Sequence, residues 1–433
     1  MRAMKDSGIP WIGEIPTNWK INTAFKIFTQ VKCKNEGMQE KNLLSLSYGR
    51  IKRKSIETTE GLLPESFDGY NIIEKVDIVL RLTDLQNDQK SLRVGLSEER
   101  GIVTSAYLTL RNRSKSLSKY LYYYLHTFDI SKGFYGMGAG VRQGLNWDGI
   151  KWLKILSPEF KEQQYIVRFL DDECARIDAV MEQTRASIEE YKKLKQSVIT
   201  QAVTKGIRPN RPMKDSGIDW IGQIPEEWEI VPFRHVLQER NEKNNPVKTK
   251  ERLSLSIDLG VTLYAEKTTN LDRFKEDFEQ YKIAHVGDLV MNSMNMIVGA
   301  TGVSSYHGCV SPAYYTFYDT LDDHVTAKYC EYIFRSKTML RVLYSLGKGI
   351  YAIVRGDDRV NTCRLKVSRE DLRNIALPMP SVCEQREIVR FLQDKLSEID
   401  MVIAKKEQFL SEMESYKKSL IFEYVTGKKE VAQ

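Results

Sequence analysis

A sixteen-residue phrase, MKDSGIPWIGEIPTNW from Met4, returns as MKDSGIDWIGQIPEEW from Met213, with twelve of its sixteen positions identical. The kept residues include Trp11/Trp220, Gly13/Gly222, Pro16/Pro225 and Trp19/Trp228, which chance does not reproduce in step. A repeat of this kind has to be settled before any fold is assigned. It extends along the chain. Leu44-Ser45-Leu46-Ser47 matches Leu253-Ser254-Leu255-Ser256, VDIVLR around Asp77 matches GDLVMN around Asp288, and GIVTSAYLTL from Gly101 matches GCVSPAYYTF from Gly308. The aromatic run from Tyr120 matches that from Tyr329, and EQQYIVRFLDDECARID from Glu162 matches EQREIVRFLQDKLSEID from Glu384.

Each half therefore reads as one unit: an entry segment, a mixed region, then a long charged helix. The mixed regions alternate β-rich runs (DIVLRL, IVTSAYLTLR; DLVMN, YYTFY) with a helical stretch near 118–128 and 326–342, which predicts α+β domains. The helices show heptad spacing. In the first, Leu170, Ile177, Thr184, Tyr191 and Val198 recur every seven residues, with Val180, Met181, Ile188, Leu194 and Ala202 expected on a second seam. In the other, Leu392, Ile399, Met413 and Leu420 are joined by Leu396, Val402, Ile403, Leu410 and Tyr416, with Lys406 as an imperfection at a seam position. Each helix follows a proline (Pro158, Pro380) and opens with acid in its first turn (Glu159 and Glu162; Glu384), which suits the helix dipole. Two equivalent helices that pair with each other close most simply as an antiparallel coiled coil about a pseudo-twofold axis.

The expected layout is two tandem mixed α/β domains, at 1–158 and 207–380, the second with its repeated entry segment from 213. They are joined by a central helix at 159–206 and a C-terminal helix at 381–433.

Composition excludes more than it assigns. With 42% apolar and 28% charged residues the chain is an ordinary globular protein. Neither a membrane-length apolar run nor a signal peptide is present, so a cytoplasmic protein without membrane contact is expected. Cys33, Cys174, Cys309, Cys330, Cys363 and Cys383 show no CxxC pairing, and buried free thiols are expected rather than disulfides or zinc. The net charge of +7 is unevenly spread: residues 20–158 hold 22 Lys/Arg against 14 Asp/Glu, residues 213–380 hold 22 against 23. A cationic region suits a phosphate-bearing partner, although most charged surfaces are merely solvated.

No catalytic constellation emerges. His126, His235, His285, His307 and His324 form no HxxxH or HExxH spacing, no GxxxxGK[ST] loop occurs, and GMGAG at Gly136 lacks the strand, helix and downstream acid of a dinucleotide site. No N/D-P-P-aromatic motif of amino-methyltransferases occurs either. The remaining signal is polar loops. GRIKRK (Arg50, Lys52, Arg53, Lys54) reads as a phosphate track or as a solvated turn. RLTDLQNDQKSLRVG (Arg81, Gln86, Asn87, Lys90, Arg93) mixes cations with Asn and Gln, the side chains that read guanine and adenine edges in the major groove. GDLVMNSMN brings Asn292 and Asn295, while MGAGVRQG (Arg142, Gln143) and LGKGIYAIVRGDDR (Lys348, Arg355) occupy equivalent places in the two halves. Asp84 and Asp357 offer the competing reading, that they simply pair with these arginines.

Together, DSGIxWIGxIPxxW, DIVLRLTDLQND, GDLVMNSMN, SPAYYTF and EQxxIVRFLD resemble the specificity subunit of type I restriction-modification enzymes over essentially the whole chain. The resemblance implies two target recognition domains, each reading half of a split sequence in double-stranded DNA, joined by helices that form an antiparallel coiled coil and dock two methyltransferase subunits. It also implies that catalysis resides in partners. S-adenosylmethionine would be bound by the methyltransferase subunits, and ATP and Mg²⁺ used by restriction/translocase subunits, with no cofactor on this chain. Since the mixed domains have diverged while their frames persist, the two half-sites are expected to differ.

Overall fold

The computed structural model describes residues 2–56, 66–88, 92–137, 144–267, 277–321, 323–350 and 364–431. The chain divides into two units, Met1–Arg185 with Glu407–Gln433, and Ala186–Lys406, so each long helix contributes one portion to each unit. Both units are mixed α/β. No helix among the described residues is long and apolar enough to cross a membrane.

In the first unit, Met4–Asp6 and Glu14–Pro16 form a short entry hairpin. Two four-stranded sheets follow. One has the order Arg50–Lys54, Leu43–Ser47, Gly101–Val103, Asn71–Ile73; the other runs Phe28–Gln30, Leu108–Asn112, Ile78–Leu80, Val94–Leu96. The strand Ile78–Leu80 is apolar throughout because both its faces are covered, and all three residues are buried. Helix Ser118–Ile130 places Tyr120, Leu121, Tyr124, Leu125 and Phe128 on one buried stripe.

The second unit repeats the second of these sheets as Gln238–Arg240, Tyr314–Tyr318, Leu289–Asn292, Thr301–Val303. The first becomes two antiparallel pairs, Leu253–Ser256 with Gly260–Leu263 and Lys282–Ala284 with Gly308–Val310. A parallel bridge, Arg252 to Cys309, replaces the Leu43–Ile102 pairing of the first unit. The expected helical stretch near 326–342 is two helices, Val325–Arg335 and Lys337–Leu346. Ser336 separates them, its hydroxyl accepting from Met339 N at the start of the second.

The long helices span Phe160–Lys205 and Val382–Val425. Within the first unit their segments pass in opposite directions: Phe169 packs on Tyr424 (ring centroids 4.4 Å), Asp178 pairs with Lys417 (2.6 Å) and Arg185 with Glu414 (3.4 Å). The second unit shows the same sense, Lys195 with Asp400 (2.6 Å) and Arg208 with Glu387 (2.7 Å). The buried stripe of the first helix includes Leu170, Cys174, Ile177, Met181, Ile188, Ile199 and Val203. Val180 and Leu194, expected on a seam, are instead exposed. The inward stripe runs through Ile177, Met181 and Ile188, and at this phase of the helix Met181 takes the buried side (5% exposed) and Val180 the solvent side (41%). Tyr416 is likewise exposed. Lys406 is half-buried, its ammonium 5.7 Å from the centre of the Tyr191 ring, which turns a seam imperfection into a cation–π contact.

The doubled entry phrase has a structural role that is the same in both units. Trp19 and Trp228 are fully buried, and each indole N–H donates to the first-turn glutamate of a long helix, Glu162 or Glu384, at 3.0 Å. Arg2 and Arg211 pair with those glutamates and lie over the indole rings at 5.5 and 5.7 Å. The next residues, Gln163 and Gln385, donate to the carbonyls of Pro158 and Pro380, both at 2.9 Å. Each tryptophan also meets the end of the other long helix. Gly427 follows the second helix with φ +73°, where a Cβ would lie 2.5 Å from Pro16 and 3.0 Å from Trp19. Gly206 follows the first with φ +75°, where a Cβ would lie 3.2 Å from Trp228. Only glycine combines that conformation with that approach.

Of the cysteines, Cys174, Cys309 and Cys330 are buried, but Cys33 and Cys383 are exposed; all five carry free thiols. Cys363 lies outside the described residues.

Candidate nucleic-acid interface

The hairpin Leu43–Ser47/Arg50–Lys54 pairs Ser47 with Arg50, leaving Tyr48 and Gly49 as a two-residue loop. Both have positive φ, 47° and 76°, as a primed hairpin turn demands. Strand alternation puts Arg50, Lys52 and Lys54 on one face and Arg53 on the other. Arg53 does not extend the phosphate track: its Nε lies 2.7 and 2.9 Å from the two carboxylate oxygens of Glu99. Arg50 stands 3.3 Å from Asp178. Lys52 and Lys54 are exposed and form no ion pair among the described residues.

A second loop, residues 81–88, follows the buried strand Ile78–Leu80. Gln86 and Asn87 are exposed at its tip. Asn87 Nδ2 donates to Asp84 Oδ1 (2.8 Å), and Arg81 is 3.7 Å from Asp88. Arg93, expected to reach DNA, does not: it is fully buried. Its Nε donates to Tyr135 Oη, Nη1 to the carbonyls of Arg81 and Thr83, and Nη2 to those of Asp84 and Asp88. All five guanidinium donors are thereby occupied, so Arg93 shapes the loop from beneath and offers nothing to a base. Asp129 accepts from Arg93 N at 2.6 Å, and burial pushes its carboxyl up to about 6.

The equivalent loop of the second unit is apolar. Asn292 is buried and its Oδ1 accepts from Met294 N (3.1 Å), so it builds the turn instead of reading a base. Asn295 is exposed, beside exposed Met294 and Val298. The tip of the hairpin Leu253–Ser256/Gly260–Leu263 exposes Ile257 (47%) and Leu259 (77%). Lys348 is exposed, 3.2 Å from Asp371. Lys90, Arg142, Gln143 and Arg355 lie outside the described residues.

No group of three or more potential metal ligands occurs among the described residues. His285 Nε2 lies 2.8 Å from Glu242 Oε2. Lys248 and His285 bind that carboxylate and hold it at about 2, so it is a fixed anion and not a proton-transfer group.

Lys52 and Lys54 thus give the first unit an exposed cationic edge, the loop tips of the second unit expose mainly apolar side chains, and Arg93 and Asn292 belong to the scaffold. The joints of Arg2, Arg211 and their glutamates were not foreseen; the arginines' shared spacing of 209 residues, the spacing of the two tryptophans, was the available signal.

No family model matches the chain. Two curated relatives from Methanocaldococcus jannaschii do. The putative type I restriction enzyme MjaX specificity subunit is 24% identical, covering 96% of this chain and 95% of the relative. The type I restriction enzyme MjaVIII specificity subunit is 23% identical, covering 76% and 75%. A solved structure from work on complex assembly and conformational transition of the type I R-M system superposes with a TM-score of 0.63 at 13% identity, covering 96% of this chain and 99% of that one, a likeness of fold.

Proposed function

We propose that this chain, similar nearly end to end to type I restriction enzyme specificity subunits, is the DNA-reading subunit of such a complex and performs no catalysis of its own. The observation that carries the reading is full-length similarity to a protein of that name, in a chain whose doubled frame is kept while its exposed loops have diverged. Residues 1–158 and 207–380 serve as recognition domains, each taking one half-site of an asymmetric bipartite target. The long helices at 159–206 and 381–433 pair as an antiparallel coiled coil that sets the distance between half-sites and docks two methyltransferase subunits and the restriction subunits. The opposed ion pairs within each unit support that pairing.

On the first domain Lys52 and Lys54 hold phosphates, with Arg50 at the edge of that track; Gln86 and Asn87 are placed to reach base edges. On the second, Asn295 and Lys348 fill those roles. Methyl transfer and DNA cleavage belong to the partners, which bring S-adenosylmethionine, ATP and Mg²⁺, and the complex works on cytoplasmic DNA.

Methylation mapping of host DNA with and without the gene tests this reading. A split motif with two unlike halves should lose its methylation when the gene is removed. An unchanged methylation map would overturn it.

A further inference from the structure

Tyr48 holds a position that its backbone does not favour. A φ of 47° is uncommon for any residue but glycine and is an outlier for a bulky one. Asn or Asp would fit the first position of this turn, before Gly49, without that cost. Burial does not repay it, because Tyr48 is 74% exposed. Strain retained at an exposed side chain points to work done by that side chain.

The surroundings say what kind of work. Tyr48 lines a cleft of about 650 Å³ in the first unit, formed between the hairpin tip, helix Ser118–Ile130 and segments of both long helices. Four cations line it, Arg50, Arg185, Lys417 and Lys418, against two carboxylates, Asp178 and Glu414. Asp178 is shared by Arg50 and Lys417, and Glu414 faces Arg185; Lys418 forms no ion pair among the described residues. The His126 imidazole, also in the wall, adds no charge near neutral pH, because burial pushes it down to about 4. A cleft with net positive charge and an open aromatic face suits a nucleic-acid strand: cations take phosphates, and the ring takes a base or sugar. The corresponding tip of the second unit also exposes bulky side chains, Ile257 and Leu259, of the apolar kind that proteins press against base steps.

We propose that Tyr48 is a DNA-contacting aromatic, packing its ring on the nucleotide beside the half-site read by the first unit, while Lys418 and its neighbouring cations on the long helices hold the adjoining phosphates. This rests on the DNA-reading role proposed above. It adds that the helices touch DNA as well as space the readers.

The test uses the full chain, its melting temperature, and its affinity for a long mixed-sequence duplex by fluorescence anisotropy over a salt series. Tyr48→Asn should melt at or above the wild-type temperature, since Asn accepts positive φ, yet bind about tenfold more weakly, the weight of one lost aromatic contact. Tyr48→Phe should bind like wild type. Lys418→Ala should lower the salt slope by about one. If Tyr48→Asn binds as wild type does, or loses affinity only in step with melting temperature, the proposal is wrong and the DNA-reading role survives. If wild type itself binds no duplex, that role fails, and this proposal with it.

Discussion

The two units bury the same aspartate and neutralise it from neighbouring strands. In the first, Asp77 is 2% exposed and held by Arg111 on strand Leu108–Asn112, with Nε and Nη2 at 2.9 and 2.7 Å. In the second, Asp288 is 1% exposed and held by Arg240 on strand Gln238–Arg240, at 2.7 and 3.1 Å. The position matching Arg111 is Tyr318, whose ring lies 4.6 Å beneath the Arg240 guanidinium; the position matching Arg240 is buried Val31. The requirement that survived divergence is a cation for a buried carboxylate, and the strand that supplies it did not. What the halves share is an electrostatic demand met by whichever strand is in reach.

The entry joints differ in a smaller way, and that difference sets the largest predicted effect. Arg211 and Glu384 are 8% and 5% exposed, whereas Arg2 and Glu162 are 19% and 24% exposed. Glu384→Ala strands the Trp228 N–H and leaves the buried Arg211 guanidinium with Glu227 as its remaining carboxylate, and should cost about 3 kcal/mol in denaturant unfolding. Glu162→Ala should cost clearly less. Equal losses would mean that burial does not distinguish the joints.

Of comparable size is the aspartate exchange. Arg111→Ala should destabilise the first unit by about 3 kcal/mol by leaving Asp77 buried without its cation. Adding Val31→Arg should recover part of that loss if the neighbouring strand is interchangeable, as the second unit implies. No recovery would mean that each arrangement depends on its own surroundings.

A third contrast concerns pH. His126 is matched by Arg335 in the second unit, and Asp129 by Thr338, so this opposed pair of titrating groups belongs to the first unit. His126 has its folded value lowered from 6.5 to about 4, so its contribution is present above 6.5 and is lost as pH falls toward 4. Asp129 has its folded value raised from 3.8 to about 6, so its contribution is present below 3.8 and is lost as pH rises through 6. The two oppose each other. His126→Gln should make the first unit more stable as pH falls from 6 to 4, and Asp129→Asn should make it less so, by about 1–2 kcal/mol in amide-exchange protection. The second unit should respond to neither.

The smallest effect is the substitution of Lys52 and Lys54 together by Ala. The salt slope of DNA binding should fall by about two, equally for all sequences. A loss confined to one sequence would show base reading instead.

Much of this architecture was legible because repetition is legible. The doubled phrase, the acidic first turns and the heptad spacing located the long helices, and the repeated strand-like runs located the equivalent strands. The seam assignment slipped where two apolar neighbours, Val180 and Met181, compete for one face, a choice that packing makes. Arg93 and Asn292 were misplaced for a related reason: cationic and amide residues next to loops look the same in sequence whether they point outward to a ligand or inward to backbone carbonyls. Tyr48 went unnoticed because its exposure and positive φ are properties of three-dimensional structure.

The proposed function requires two readers held at a fixed separation by paired helices. Methylation mapping of cells carrying the chain with one heptad inserted in the middle of each long helix tests that directly. The account predicts a methylated motif with both half-sites unchanged and a longer spacer between them. An unchanged spacer, or altered half-sites, would contradict it.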